Sequence, residues 1–149
     1  MEWTWSVKIA VIFAGIFLWV GMLTGVLKYW QMRQSPQARA HYYTDIAHRS
    51  SLLYAPASLI IAVMAYWSIW AEWLNLLCVI FNLIFFSSSI LAYVLHGVLQ
   101  DTTNQFRTPH QLGQRRIPAI FMTLAMLGLI GAEVGGTGVL LLGMLLAFL

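Results

Sequence analysis

Charged residues are what this sequence has least of. Only 9% of its 149 residues are charged, 5 acids against 8 lysines and arginines, where a soluble domain carries about 25%. So little charge excludes a protein bathed in water on all sides, and most of the surface must face lipid. Cysteine is almost absent as well. Cys78 stands alone in an apolar run, which excludes an intrachain disulfide and leaves the redox compartment unread. The N-terminus, MEWTWSVK, carries an acid and two tryptophans where a cleavable signal would carry basic residues, and the apolar run behind it exceeds a signal core. That run is expected to remain as a membrane span. No basic motif points to nucleic acid, and there is no room for a separate soluble domain.

Apolar residues make up 60% of the chain, and mean hydropathy is +0.77. They fall into four runs, which predict an all-α integral membrane protein with helices over about 5–30, 36–66, 74–100 and 117–149. Gly21 and Gly25 form a GxxxG step at which another helix can approach, here expected to be that of a second copy. Pro36 suits the first turn of helix 2. Pro56 removes a backbone donor further along, where the Ser50 and Ser51 hydroxyls can help satisfy freed carbonyls. Trp67, Trp70 and Trp73 flank Glu72 at one interface as an aromatic belt. In the last run GAEVGGTG interrupts the pattern and places Glu133 inside the membrane, where an acid marks a proton-handling or pairing role or stays protonated.

Basic residues are segregated. Lys28, Arg33, Arg39, Arg49, Arg107, Arg115 and Arg116 flank loops 31–35 and 101–116, and only Lys8 lies toward the other end. The positive-inside rule then predicts cytoplasmic loops at 31–35 and 101–116, with both termini outside, in a multi-pass protein of a bacterial inner membrane.

The richest chemistry lies in SPQARAHYYTDIAHRSSLLYAP. At helical period His41, Asp45 and His48 fall at i, i+4 and i+7 on one face. Tyr54 lies roughly 120° round from His48. Helix 3 carries a polar stripe of Asn82, Ser89, Tyr93, His96 and Gln100, which must face the bundle or a cavity. Neutral imidazoles of His41, His48 or His96 can bind a metal or haem iron, and Asp45 is placed to orient a ligating ring. Phe85, Phe86, Tyr93 and the Leu52–Leu53 pair can line a haem slot, with Arg39, Arg49 and Arg107 for its propionates. The same residue types also suit a quinone or a lipid. A mononuclear zinc site lacks its close ligand pairs, since His41 and His48 lie two turns apart.

AHRSSLLYAP, from Ala47 to Pro56, resembles the helix-2 signature of the membrane-associated proteins in eicosanoid and glutathione metabolism (MAPEG). AYVLHG, from Ala92 to Gly97, resembles that family's helix-3 element. The resemblance implies a MAPEG-like four-helix bundle over nearly the whole chain. Ser50 and Leu53 replace the Asn and Glu that serve glutathione in that family.

Ser35-Pro36, the Ala38-Arg39-Ala40-His41 run and Asn104-Gln105-Phe106 are similar to segments of the styrene oxide isomerases. These share the layout and hold haem b on a helix-2 histidine. The letters of that motif select His41, whereas spacing to the catalytic helix-3 tyrosine selects His48, since Tyr93 lies 45 residues beyond it (93 − 48 = 45). His48 is the preferred ligand, with His41 and His96 as alternatives. Tyr54 takes the position of an asparagine that helps hold the epoxide. The resemblance thus implies a homotrimer binding haem b through His48, with Asp45, Arg39, Arg49 and Arg107 around the cofactor. Tyr93 and Tyr54 would act on a small apolar epoxide. Two rivals are a non-enzymatic subunit of a larger membrane complex and a glutathione-dependent MAPEG-type transferase.

Overall fold

A computed structural model describes residues 3–149. Helix α1 spans Trp5–Gln34, α2 Tyr42–Trp67 and α3 Glu72–Leu99. A fourth run comprises α4 (Ala119–Ile130), a π-helix (Gly131–Gly136) and α5 (Thr137–Phe148). All four runs are long and apolar enough to cross a membrane. The 101–116 loop contains a two-stranded antiparallel hairpin, β1 (Gln111–Leu112) on β2 (Arg115–Arg116), which the sequence pattern did not announce.

Two boundaries differ from expectation for identifiable reasons. α1 runs on to Gln34 because Gln31 is buried and tied down: its amide donates to the Gly97 carbonyl at 3.0 Å, and its oxygen accepts from the His41 backbone N–H at 3.0 Å. α2 begins at Tyr42 rather than near Pro36. His41 is its N-cap, with the ring Nδ1 accepting from the Tyr43 N–H at 3.3 Å. The single face of His41, Asp45 and His48 is thereby corrected, since His41 lies outside the helix. Pro56 sits within α2 without ending it.

The other end of the bundle is closed by Glu72. Its carboxylate accepts from the Ser6 backbone N–H at 2.8 Å and the Ser6 hydroxyl at 2.9 Å. A carboxylate thus answers one open N–H at the start of α1 and complements that helix's dipole.

The core lies among α1, α2, α3 and α5, with Phe17, Ile61, Val79, Leu83 and Leu140 buried in it. The inner face of α2 is small: Ala47, Ser51, Ala55, Ser58, Ala62 and Ala65 are all buried. Small side chains at helical spacing let backbones approach closely in lipid. The glycine step of α1 serves the same end inside the chain. A Cβ on Gly21 would meet the Leu52 side chain at 2.6 Å, and one on Gly25 the His48 ring at 2.9 Å. The partner at this step is therefore α2 of the same chain, which corrects the expectation of a contact between copies there.

α4 buries no residue, while the π-helix and α5 pack on α3 and α2. The wider π turn releases carbonyls that a regular helix would satisfy. Asn82 answers one of them, donating to the Ala132 oxygen at 3.0 Å as well as to its own helix at Cys78. Gly136 makes room, since a Cβ there would lie 2.7 Å from the Asn82 amide nitrogen.

The α2–α3 crossing is closed by backbone at Gly97, where a Cβ would meet Thr44 at 2.6 Å from its hydroxyl and 2.9 Å from its backbone nitrogen. A backbone atom cannot swing away. Gly97→Ala should therefore destabilise by about 1–3 kcal/mol, as overpacking does, read as a lowered thermal midpoint in mild detergent. An unchanged midpoint would refute this account of the crossing.

Candidate functional site

The three histidines singled out from the sequence sit in different surroundings, and their hydrogen bonds fix their tautomers. His48 Nδ1 lies 2.7 Å from the Gly21 carbonyl of α1. A carbonyl can only accept, so in the neutral ring Nδ1 carries the proton and Nε2 keeps its lone pair. His41 has the opposite arrangement. Its Nδ1 accepts the cap bond from Tyr43, so the proton sits on Nε2. Burial, together with the nearby His96, holds the His41 pKa below its ordinary value despite the opposing pull of Asp101. His96 Nδ1 contacts Asp101 Oδ1 at 2.8 Å, with both side chains nearly inaccessible.

The carboxylate–histidine pair is therefore Asp101 with His96, and not Asp45 with His48. Asp45 is engaged elsewhere, 2.6 Å from Lys28 of α1 and 2.8 Å from Arg49 one turn on. The Gly21 carbonyl takes the orienting role expected of Asp45. Asp101 also accepts from the Gly113 backbone N–H, which pins the hairpin loop to the end of α3. Burial opposes ionisation of Asp101, but the bonds from Gly113 and His96 hold its carboxyl below the usual range.

Around this latch a buried network joins three helix ends. Thr44 and Gln31 both donate to the Gly97 carbonyl. Tyr43 is buried, and its hydroxyl accepts from the Gln105 N–H at 2.6 Å. The Tyr43 ring stacks on Tyr93 at 5.9 Å and 16° and lies 5.1 Å from His96. Further into the membrane Tyr54 stacks on Phe86 at 4.1 Å and 9°. Glu133 lies within electrostatic reach of both Tyr54 and Tyr93, and its Oε1 is buried without a hydrogen-bond partner among the described residues.

Two polar crevices open at the basic end. One, of about 700 Å³, is lined by His41, Gln100, Asp101, Thr102, Thr103, Asn104, Arg107, Thr108 and Pro109. The other, of about 490 Å³, is lined by Gln31, Gln34, Ser35, Gln37, Arg39, Ala40, His41 and Gln100. They meet at His41 and Gln100.

The expected site residues thus divide into three groups. His48, Asp45 and Arg49 lie at the α1–α2 seam, with Lys28. Tyr54 of α2 and Tyr93 of α3 lie between those two helices, stacked on Phe86 and Tyr43 respectively. Arg39, Arg107 and His41 line the crevices. The residues expected to line a haem slot are dispersed: Phe86 packs in the core against Tyr54, Phe85 lies over Gly128 and Leu52 over Gly21. Among the described residues no group of three or more His, Cys, Asp or Glu side chains is arranged to hold a bare metal ion. Sequence reading missed Gln31, Tyr43 and Asp101. Only the five-residue spacing of His96 and Asp101 across a helix end could have signalled the latch.

These features define a multi-pass α-helical membrane protein with a buried polar network at its basic end. No protein-family model, characterised protein or solved structure matches the chain.

Proposed function

We propose that this protein is a haem-b-binding membrane isomerase acting on a small apolar epoxide, with iron held by His48. One observation carries the reading: the bond from His48 Nδ1 to the Gly21 carbonyl. It fixes the ring and leaves Nε2 as a free lone pair, the arrangement by which proteins prepare a ligating histidine. His41 is the poorer candidate, because ligation through Nε2 would cost its cap bond. His96 is oriented by Asp101 but only 5% exposed, which leaves no room for a macrocycle. Lys28 and Arg49, both paired with Asp45, are the cations on the same α1–α2 seam, and propionates would compete with Asp45 for them.

Bound ferric haem supplies a Lewis acid toward an epoxide oxygen. The remaining work falls to the chain. Tyr93 orients the opening intermediate through its hydroxyl, and Tyr54 with Phe86 offers an apolar wall. His48 faces α1 at Gly21, whereas Tyr54 stands roughly 120° round α2 and Tyr93 lies on α3 against Tyr43. One chain therefore does not bring them together. A closed homo-oligomer, proposed as a trimer, supplies the tyrosines to the neighbouring copy's His48. α4, which buries no residue within its own chain, is free to meet that copy.

The visible spectrum tests the iron. A Soret band at stoichiometric intensity is expected from protein made with ample haem supply and purified in mild detergent. A colourless preparation would overturn the reading. The orientation is proposed with it: the loops at 31–35 and 101–116 face the cytoplasm, as their basic residues favour. Gln34→Cys and Thr108→Cys should resist a membrane-impermeant thiol reagent in intact cells, and labelling of both would reverse the topology.

A further inference from the structure

We infer that the two crevices at the basic end form one binding site for a phosphate-bearing anion. Their walls carry two guanidiniums from different segments, Arg39 before α2 and Arg107 in the hairpin loop. Neither has a carboxylate partner among the described residues. The one acid in the lining, Asp101, has both oxygens engaged, by His96 and by Gly113. Neither of its oxygens is therefore free to pair with Arg39 or Arg107, and both guanidiniums stay available to an anion.

Where the crevices meet, His41 presents a fixed donor. Its Nδ1 is occupied by the Tyr43 cap bond, so the neutral ring carries its proton on Nε2, and the residue lines both crevices. Hydroxyls of Thr103 and Thr108 and the amide of Gln100 add neutral donors. Donors from several directions call for a ligand with several acceptor oxygens. A phosphate group has three, and two guanidiniums can grip it in the fork geometry that arginine favours.

The floor is prepared in advance. Gln31 bridges the Gly97 carbonyl and the His41 N–H, and the His96–Asp101 latch holds the loop that carries Arg107. Openings of about 700 and 490 Å³ exceed a lone phosphate and suit a phosphate ester. The lining is too polar for a porphyrin, so this site is separate from His48 and does not rest on the iron. The phosphate can belong to a lipid headgroup or to a soluble ester.

The test uses the full chain in phosphatidylcholine nanodiscs, titrated with inorganic pyrophosphate and read by the thermal midpoint. A second set of discs contains phosphatidylglycerol. A raised midpoint with pyrophosphate marks a soluble ligand, and one with phosphatidylglycerol alone marks a headgroup. Either should vanish in Arg39→Gln/Arg107→Gln and persist in Arg33→Gln, whose arginine lies outside both crevices. Pyrophosphate affinity, where measurable, should drop roughly tenfold or more for each arginine lost, the scale of a hydrogen bond to a charged group. The midpoint without probe reports whether each variant folds, and the two single variants serve if the double one does not. The site is refuted if neither probe exceeds sodium chloride at equal ionic strength, or if the crevice variants keep the response.

Discussion

His48→Ala should purify colourless, whereas His41→Ala should keep a Soret band of nearly wild-type intensity. The expectation follows from proton positions rather than from the spacing of the two residues. His48 gives its Nδ1 proton to the Gly21 carbonyl and keeps a lone pair on Nε2, while His41 spends its lone pair on the α2 cap. Loss of the residue that would hold the iron should remove the band altogether, but loss of a cap costs about 1 kcal/mol of stability and no colour. His48→Gln separates ligation from folding, because its amide can still donate to Gly21. It should fold at nearly the wild-type midpoint and remain colourless. Asp45→Asn should leave the band in place, since Asp45 contacts Lys28 and Arg49 instead of the imidazole. A red His48→Ala beside a colourless His41→Ala would refute the assignment.

Four spans were legible because apolar runs of that length have few alternatives. Their ends were less so. Pro36 is a sound first-turn residue, yet α2 starts at Tyr42, because the cap at His41 and the Gln31 bridge fix its start through contacts distant in sequence. The polar stripe of α3 was visible by periodicity, and Asn82 and His96 are indeed buried. Their partners were not visible. Asn82 answers a carbonyl that only a π turn 50 residues away exposes, and His96 meets an acid just beyond its own helix. Asp45 shows the limit of reading one helix alone. At i−3 from His48 it looked like that ring's partner, but Lys28 on α1 outcompetes an imidazole for a carboxylate. Gly21 and Gly25 were rightly read as a place of close approach, with the wrong partner assigned.

Co-expression of His48→Ala with Tyr93→Phe should restore the proposed isomerisation of a small apolar epoxide that neither variant supports alone. Within one chain His48 faces α1 at Gly21, while Tyr93 stacks on Tyr43 on a different face of α2. Each proposed site therefore draws its histidine from one copy and its tyrosine from a neighbour. In randomly mixed rings a site works when the first copy carries Tyr93→Phe and the second carries His48→Ala. Each condition is met half the time, so about a quarter of the sites should be active. Tyr93→Phe keeps the ring that stacks on Tyr43 and removes only the hydroxyl, so its lost activity would report on chemistry rather than on packing. Variants purified apart and mixed after assembly should stay inactive unless subunits exchange. The Soret band of the co-expressed protein should reach about half of wild type, because half the copies retain His48. That band with no recovered activity would reject the shared site while leaving the haem assignment intact.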